Sequence, residues 1–310
     1  MKGDQIKDNK IKDDKINDDK IKDDKIKDDK INDDCCCIQN DIIKNNIDVN
    51  PDHIFDVKTV QSIAIKILIE ALKEILTDAN LIVDETGIKL VAMDSTKTVL
   101  IYMKLNSDKF ESFFCKEKIS IGINMFNLFK LIKTINTSDT LSFFIHKNDT
   151  NKLGIKINNN EKNTETIYKL NLLDISQDEI IIPPAEFDSE LTMPAQDFQK
   201  LIRDMVNISS ETEIKSSGSN LIFNCQGDFA SQTTILGETQ NGLQFIHNLS
   251  DGYLVQGVFS LKYLLLFTKC TNLCNQIQLY IKNDYPLIIQ YTIASLGIIK
   301  LCLAPKVDTD

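Results

Sequence analysis

The feature that most constrains this chain is a duplication. Twice between Phe55 and Leu303 the same order of patterns recurs: an amphipathic helix, three strands, a short apolar segment leading into a second helix, and three more strands. The first copy predicts helices over 60–76 and 126–135, with strands near 81–84, 88–93, 99–105, 140–146, 153–157 and 166–172. The second predicts helices over 195–206 and 261–270, with strands near 213–215, 221–226, 231–236, 277–282, 287–293 and 298–304. Gly122-Ile123-Asn124 and Gly257-Val258-Phe259 occupy matching points, each just ahead of the second helix of its copy. Such self-similarity is the signature of a repeated structural unit. Apolar strands beside 3.6-period helices make that unit a helix-plus-sheet one, of the α+β class. Pro183-Pro184 interrupts the stretch between the copies, where it would break sheet pairing and mark a connector crossing the surface.

A different texture precedes the duplication. Isoleucine falls at Ile6, Ile11, Ile16, Ile21, Ile26 and Ile31, a step of five. Five residues turn ~500° around a helix, so these isoleucines spiral rather than form a stripe. An odd step also alternates strand faces. Without a face to bury, the array cannot offset its ordering entropy and reads as disordered. The alternative is a docking tether, or a weak cation binder through its Asp pairs. The expected organisation is therefore a tail and linker at 1–50, one domain at 51–172, a connector at 173–187, a second domain at 188–307, and a short tail at 308–310.

Charge and composition exclude several classes. The 310 residues carry 35 basic and 45 acidic side chains, a net charge of −10. That rules out a uniformly basic nucleic-acid coat but not a local basic surface. No apolar run approaches the ~20 residues of a membrane span, and the charged start lacks a secretory signal's apolar core. An intracellular protein with reduced thiols is expected. The eight cysteines include no C-x-x-C pair, and His53, His146 and His247 are isolated, so no metal or cofactor site is anticipated. Phosphate loops and dinucleotide-binding glycine motifs are missing, as are nucleophile signatures. No enzyme activity is expected.

The four helices share one peculiarity. On the first, Lys66 and Lys73 lie ~20° apart, opposite Leu68, Leu72 and Ile75. Lys130 and Lys133 share a face of the second, Lys200 and Arg203 of the third, and Lys262 and Lys269 of the fourth. An acidic body thus shows two basic groups on the outer face of each helix. Solvated faces alone would account for any one pair. Four pairs suit a surface that follows a phosphate backbone without reading sequence. No aromatic residue is expected among these bases, so stacking on single strands is not anticipated.

Several stretches together resemble the proliferating cell nuclear antigen family, the sliding clamps of eukaryotic and archaeal type. They are Glu70-Ala71-Leu72-Lys73, Gly87 and Met93-Asp94-Ser95. Pro194 through Arg203-Asp204 follows, then Lys262-Tyr263 through Phe267-Thr268-Lys269, and finally Leu303-Ala304-Pro305-Lys306. The resemblance spans about 55–307 and leaves the tail without a counterpart. It implies a DNA-clamp fold in a head-to-tail trimeric ring, with a homotrimer encircling double-stranded DNA and tethering replication and repair enzymes. Lys66, Lys73, Lys130, Lys133, Lys200, Arg203, Lys262 and Lys269 would face the DNA. Tyr168 and Leu170 of one subunit would meet Thr233 and Ile235 of the next. A pocket at Met93, Asp94, Lys97, Leu100, Ile180, Ile182, Pro286, Ala304 and Pro305 would receive the glutamine–aliphatic–aromatic peptide of DNA polymerase, clamp loader, ligase and flap nuclease. Lys97 and Cys302 depart from the family's usual pocket residues. Only Lys215 lies near the family's modifiable lysine, whose own position falls at 217–219. A nuclear or viral replication site would follow. The alternatives are a subunit of a hetero-oligomeric checkpoint-type clamp, or a DNA-modifying enzyme on another scaffold.

Overall fold

The computed structural model describes residues 50–176, 180–248 and 254–306. The tandem array, Cys35–Cys37 and the final tail lie outside the described residues.

The first half runs β1 (His53–Thr59), α1 (Ser62–Leu72), β2 (Asp78–Asp84), β3 (Gly87–Met93), β4 (Val99–Asn106), β5 (Ser112–Cys115), β6 (Ile119–Asn124), α2 (Met125–Ile132), β7 (Asp139–His146), β8 (Asp149–Asn159) and β9 (Thr164–Asn171). The second half runs β10 (Ser189–Pro194), α3 (Ala195–Val206), β11 (Glu211–Ser217), β12 (Asn220–Gln226), β13 (Ser231–Gly237), β14 (Gln244–Asn248), β15 (Leu254–Ser260), α4 (Leu261–Phe267), β16 (Gln276–Ile281), β17 (Leu287–Ile293) and β18 (Gly297–Leu303). The order of strands and helices is identical in the two halves, and so is the pairing. In the first, β1 joins β5 and β7, β7 joins β8, and β8 joins β9, while β2 joins β3 and β6, and β3 joins β4. In the second, β10 joins β14 and β16, β16 joins β17, and β17 joins β18, while β11 joins β12 and β15, and β12 joins β13. Every one of these pairs is antiparallel.

One further pair fuses the halves. β18 lies antiparallel to β4, from Leu303 opposite Val99 to Gly297 opposite Leu105. It merges two sheets into one of nine strands, leaving a five-stranded sheet that ends in β9 and a four-stranded sheet that ends in β13. Ile101 and Leu301 face each other across this joint, both fully buried. The buried side chains of the two halves form one continuous apolar core.

The helices follow from local rules. α1 buries Ile65, Leu68, Ile69 and Leu72, the i, i+3, i+4, i+7 stripe of an amphipathic helix. α2 is capped by Asn124, whose side chain accepts from the Asn127 N–H at 2.9 Å. Pro194 precedes α3, where its fixed φ and missing N–H cost little. Three helices, α1, α2 and α4, are shorter than expected. α1 starts at Ser62 because Gln61 leaves the helical region, with φ −82° and ψ 41°, and it ends at Leu72, four residues before the expected limit. α4 stops at Phe267 and tightens into a 3₁₀ turn, Thr268–Leu273. There the hydroxyls of Thr268 and Thr271 donate to the carbonyls of Leu265 and Thr268. α1 packs on α2, α3 packs on α4, and the 3₁₀ turn touches both α1 and α3.

Strands β1, β5, β10 and β14 have no counterpart among the expected strands, and β6 and β15 correspond to the apolar segments expected to lead into a helix. In β5 every residue is half-buried, so no alternation marks it. Pairing to β1 alone makes it a strand.

Candidate nucleic-acid face and partner surface

Six of the eight basic helix residues stand in solvent: Lys130, Lys133, Lys200, Arg203, Lys262 and Lys269. Among the described residues, none of the six has an acidic partner within ion-pair distance. The other two are more enclosed than the helical wheel implies. Lys66 donates its ammonium to the Ile135 carbonyl at 2.9 Å, tying α1 to the chain leaving α2. Lys73 pairs with Glu74, rests its ammonium 4.8 Å from the Phe129 ring centre, and keeps only 13% of its side chain exposed. The cause is the neighbouring helix, which a single-helix projection leaves out.

The expectation of a face without aromatics is overturned. Lys130 lies over the Phe126 ring at 4.3 Å, and Lys262 lies 5.7 Å from the Tyr263 ring centre. Phe126 is one helical turn before Lys130 and 52% exposed. Its i, i+4 spacing to Lys130 was the available signal.

On the opposite face of the nine-stranded sheet, adjacent strands align Met93, Leu100, Cys302 and Ile288 in one cross-strand row. Leu100 belongs here because its neighbours Val99 and Ile101 point into the core. Met93 is 43% exposed and Leu100 half-buried. Burial pushes the Cys302 thiol up to about 11, with nearby Lys300 opposing, so it stays neutral and acts as a small apolar side chain. The sequence reading omitted Ile288, whose place depends on cross-strand register.

Asp94 organises the turn beside this row. Its Oδ1 accepts from the amides of Thr98 at 2.8 Å and Val99 at 2.7 Å. Its Oδ2 takes the Thr96 hydroxyl, the Thr96 amide at 3.3 Å and Tyr263 Oη–H at 3.2 Å. Burial works against the charge, but the Thr96 hydroxyl and the Val99, Thr96 and Thr98 amides outweigh it and hold the carboxyl below its ordinary range. Lys97 sits at the turn's tip with φ 58°, its N–H bonded to the Asp94 carbonyl at 3.0 Å and its side chain exposed. Ala304 and Pro305 follow β18, with the Ala304 N–H donating to Thr98 O at 3.0 Å.

The chain between the halves is pinned at both ends. Leu173 N–H donates to Gly122 O at 2.9 Å, and Asn80 Nδ2 donates to Ile175 O at 3.0 Å. A Cβ on Gly122 would lie 2.1 Å from Leu173 O, so glycine permits the approach. At the far end Phe187 packs against Tyr280 and Tyr285, with ring centres at 5.3 and 5.7 Å. Between them Ile180 and Ala185 are half-buried, while Ile181 is 82% and Ile182 41% exposed. Pro286 is half-buried in the β16–β17 hairpin.

The two strand edges carry the expected interface residues on different faces. Tyr168 and Leu170 turn toward the core and pack against it, whereas Ile167 alternates to the open side and is 50% exposed. Thr233 and Ile235 are exposed on β13, Ile235 at 61%. Lys215 pairs with Glu213 at 2.8 Å. Among the described residues no cluster of three or more His, Cys, Asp or Glu could hold a metal, and no helix is long and apolar enough to cross a membrane.

A duplicated helix-on-sheet body, joined through one strand pair, with free basic groups on its helices and an apolar row on the far face of its largest sheet, defines a class of two-domain clamp-like scaffold. Comparison with known proteins agrees. Residues 54–180 match the family model of the proliferating cell nuclear antigen N-terminal domain, and residues 181–306 that of its C-terminal domain. The chain belongs to the proliferating cell nuclear antigen family. It is 38% identical over 256 residues to a probable DNA polymerase sliding clamp 1 of Paramecium bursaria Chlorella virus 1, covering 81% of this chain and 97% of that one. It is 28% identical over 254 residues to the proliferating cell nuclear antigen of Chaetomium thermophilum, covering 81% and 97%. The crystal structure of the Entamoeba histolytica proliferating cellular nuclear antigen superposes with a TM-score of 0.75 at 25% identity, over 82% of this chain and all of that one.

Proposed function

We propose that this protein is a DNA sliding clamp, a polymerase processivity factor that closes as a head-to-tail homotrimer around duplex DNA. The observation that carries the reading is an unfilled equivalent of the joint within the chain. β18, the last strand of the second half, pairs with β4 of the first. Among the described residues, their counterparts β9 and β13 each end a sheet with one edge unpaired. Exposed edges invite strand pairing, and repetition of one joint from copy to copy closes a ring when the rotation permits. Aligning the halves on their helix starts and the strands that follow sets Thr166 at the place of Ile299 and Thr234 at the place of Met103. The β4–β18 register then puts Ile167 of one copy opposite Thr233 of the next, and Glu165 opposite Ile235.

Three copies would line the hole with twelve helices, four from each chain. The free lysines and Arg203 would hold the duplex by weak ionic contact while the net-acidic remainder repels it, so retention is topological and the ring slides. Lys66 and Lys73 would contribute less, being already engaged. The Met93–Leu100–Cys302–Ile288 row, the Asp94 turn with Lys97, and Ile180, Ile182, Pro286, Ala304 and Pro305 would form the cup for an aromatic-anchored peptide from polymerase, loader, ligase or flap nuclease. Cys302 leaves more room there than a ring would. The protein would act without catalysis of its own, at a nuclear or viral replication site. Its functional units would be domains at 51–172 and 188–307 with the connector at 173–187.

The test uses loaded nicked-circular DNA. A ring stays through a salt wash and leaves once the circle is cut, and native mass spectrometry reads three identical chains. A salt-sensitive complex on circles, or assembly only with other chains, overturns the reading.

A further inference from the structure

Phe126 has no part in the fold that its size would explain. It is the second residue of α2, 52% exposed, while the residue before it, Met125, is fully buried. Around the helix axis Phe126, Lys130 and Lys133 fall within ~60° of one another. Anything that touches the two lysines therefore meets the ring. One face of the ring is partly occupied by the Lys130 ammonium, 4.3 Å from its centre.

The second half supplies a control on whether ring closure would cover it. Asn124 and Ser260 are the N-cap residues of α2 and α4, so Phe126 and Lys262 hold the same position. Lys262 is exposed even though α1 packs on the turn that follows α4. Across the β9–β13 joint the helix arriving beyond α2 is α3 of another copy, the counterpart of α1, and it would leave Phe126 open in the same way.

We propose that the Phe126 ring makes an apolar contact with the deoxyribose of the encircled duplex, beside the phosphates that Lys130 and Lys133 engage. The proposal rests on the DNA-facing reading of the helices. A lysine's charge selects phosphate, and one turn along the axis, ~5.4 Å, the next available surface of a DNA strand is the C–H face of a sugar. Stacking on unpaired bases is disfavoured because Phe126 stands alone. The other ring on this helix, Phe129, is half-buried and lies near Lys73, whereas single-strand binding uses successive open rings. The bore thus alternates its chemistry, with Phe126 in one half and Lys262 at the same place in the other.

Binding of the trimer to a linear duplex across a salt series separates the two contributions. Phe126→Ala should lower affinity about fivefold at every salt concentration, as loss of ~40 Å² of apolar contact would, with the slope of log affinity against log salt unchanged. Phe126→Lys should steepen the slope, and Lys130→Ala should flatten it, by ~0.9 for each phosphate contact. If Lys130→Ala flattens the slope but Phe126→Ala leaves affinity unchanged, the ring contact is wrong and the DNA face stands. If neither Lys130→Ala nor Phe126→Lys moves the slope, the DNA-facing reading of α2 itself fails. A loss with Phe126→Ala confined to DNA carrying a single-stranded arm would replace sugar contact with base stacking and overturn the proposal.

Discussion

The two halves share a plan but end differently. β18 of the second half finds β4 inside the same chain, whereas, among the described residues, β9 of the first half and β13 of the second each keep one edge unpaired. A duplicated unit with one internal joint necessarily keeps one such joint open at its ends. The lesson is that the proposed assembly would need no surface of its own invention: the contact that fuses the halves is offered again at the molecule's two edges. A second contrast lies in the hairpin turns. β3–β4 is held by the buried Asp94 carboxylate, while β12–β13 turns through Gly227, whose N–H bonds to the Ala230 carbonyl at 2.9 Å.

Four experiments would sharpen or break this comparison. The largest effect belongs to the joint itself. Leu301→Ala should cost about 2–5 kcal/mol, because a fully buried side chain opposite Ile101 leaves a cavity on both halves at once. Denaturant unfolding should stay a single transition; two separated transitions would show that the halves are independent.

Asp94→Asn should cost about 1–2 kcal/mol by weakening hydrogen bonds to a charged acceptor. The sign of the pH dependence follows from its lowered pKa. The contribution is complete above the ordinary carboxylate value near ~4 and is lost as pH falls through the lower folded value. Amide protection factors at Thr98 and Val99, taken against the intrinsic exchange rate at each pH, should therefore fall in acid, while the Gly227 turn, which has no such carboxylate acceptor, should not share the effect.

At the open edges, Ile235→Asp would set a like charge opposite Glu165 and weaken trimerisation by up to about 1 kcal/mol per interface. Adding Glu165→Lys should restore it. Sedimentation of the two single variants and the double variant checks the register, and failure of the rescue would reject it.

The smallest effect compares helices. Lys130→Ala and Lys262→Ala should each flatten the salt dependence of DNA binding by ~0.9 for each contact removed. Lys66→Ala should change it less, because its ammonium is bonded to Ile135 O. Equal slopes for all three would show that this hydrogen bond breaks on DNA.

Much of this was legible in the chain before folding. The duplication, the α+β class and the limits of α3 were set by local pattern, since period and proline placement act within a few residues. Lys130, Lys133, Lys200 and Arg203 were readable for the same reason: a helical face is a local property. Phe126 was readable too, at i, i+4 from Lys130.

What the sequence determined by itself was therefore the repeated unit and the faces of its helices. Which strand meets which was decided by the tertiary structure alone. The joining of β4 to β18, the strand identity of β5, the covering of Lys73 and the placing of Ile288 beside Cys302 all depend on partners far away in the chain. Periodicity reports which side of an element is buried, but not by what, because pairing energy belongs to two segments together and neither segment encodes its partner's register.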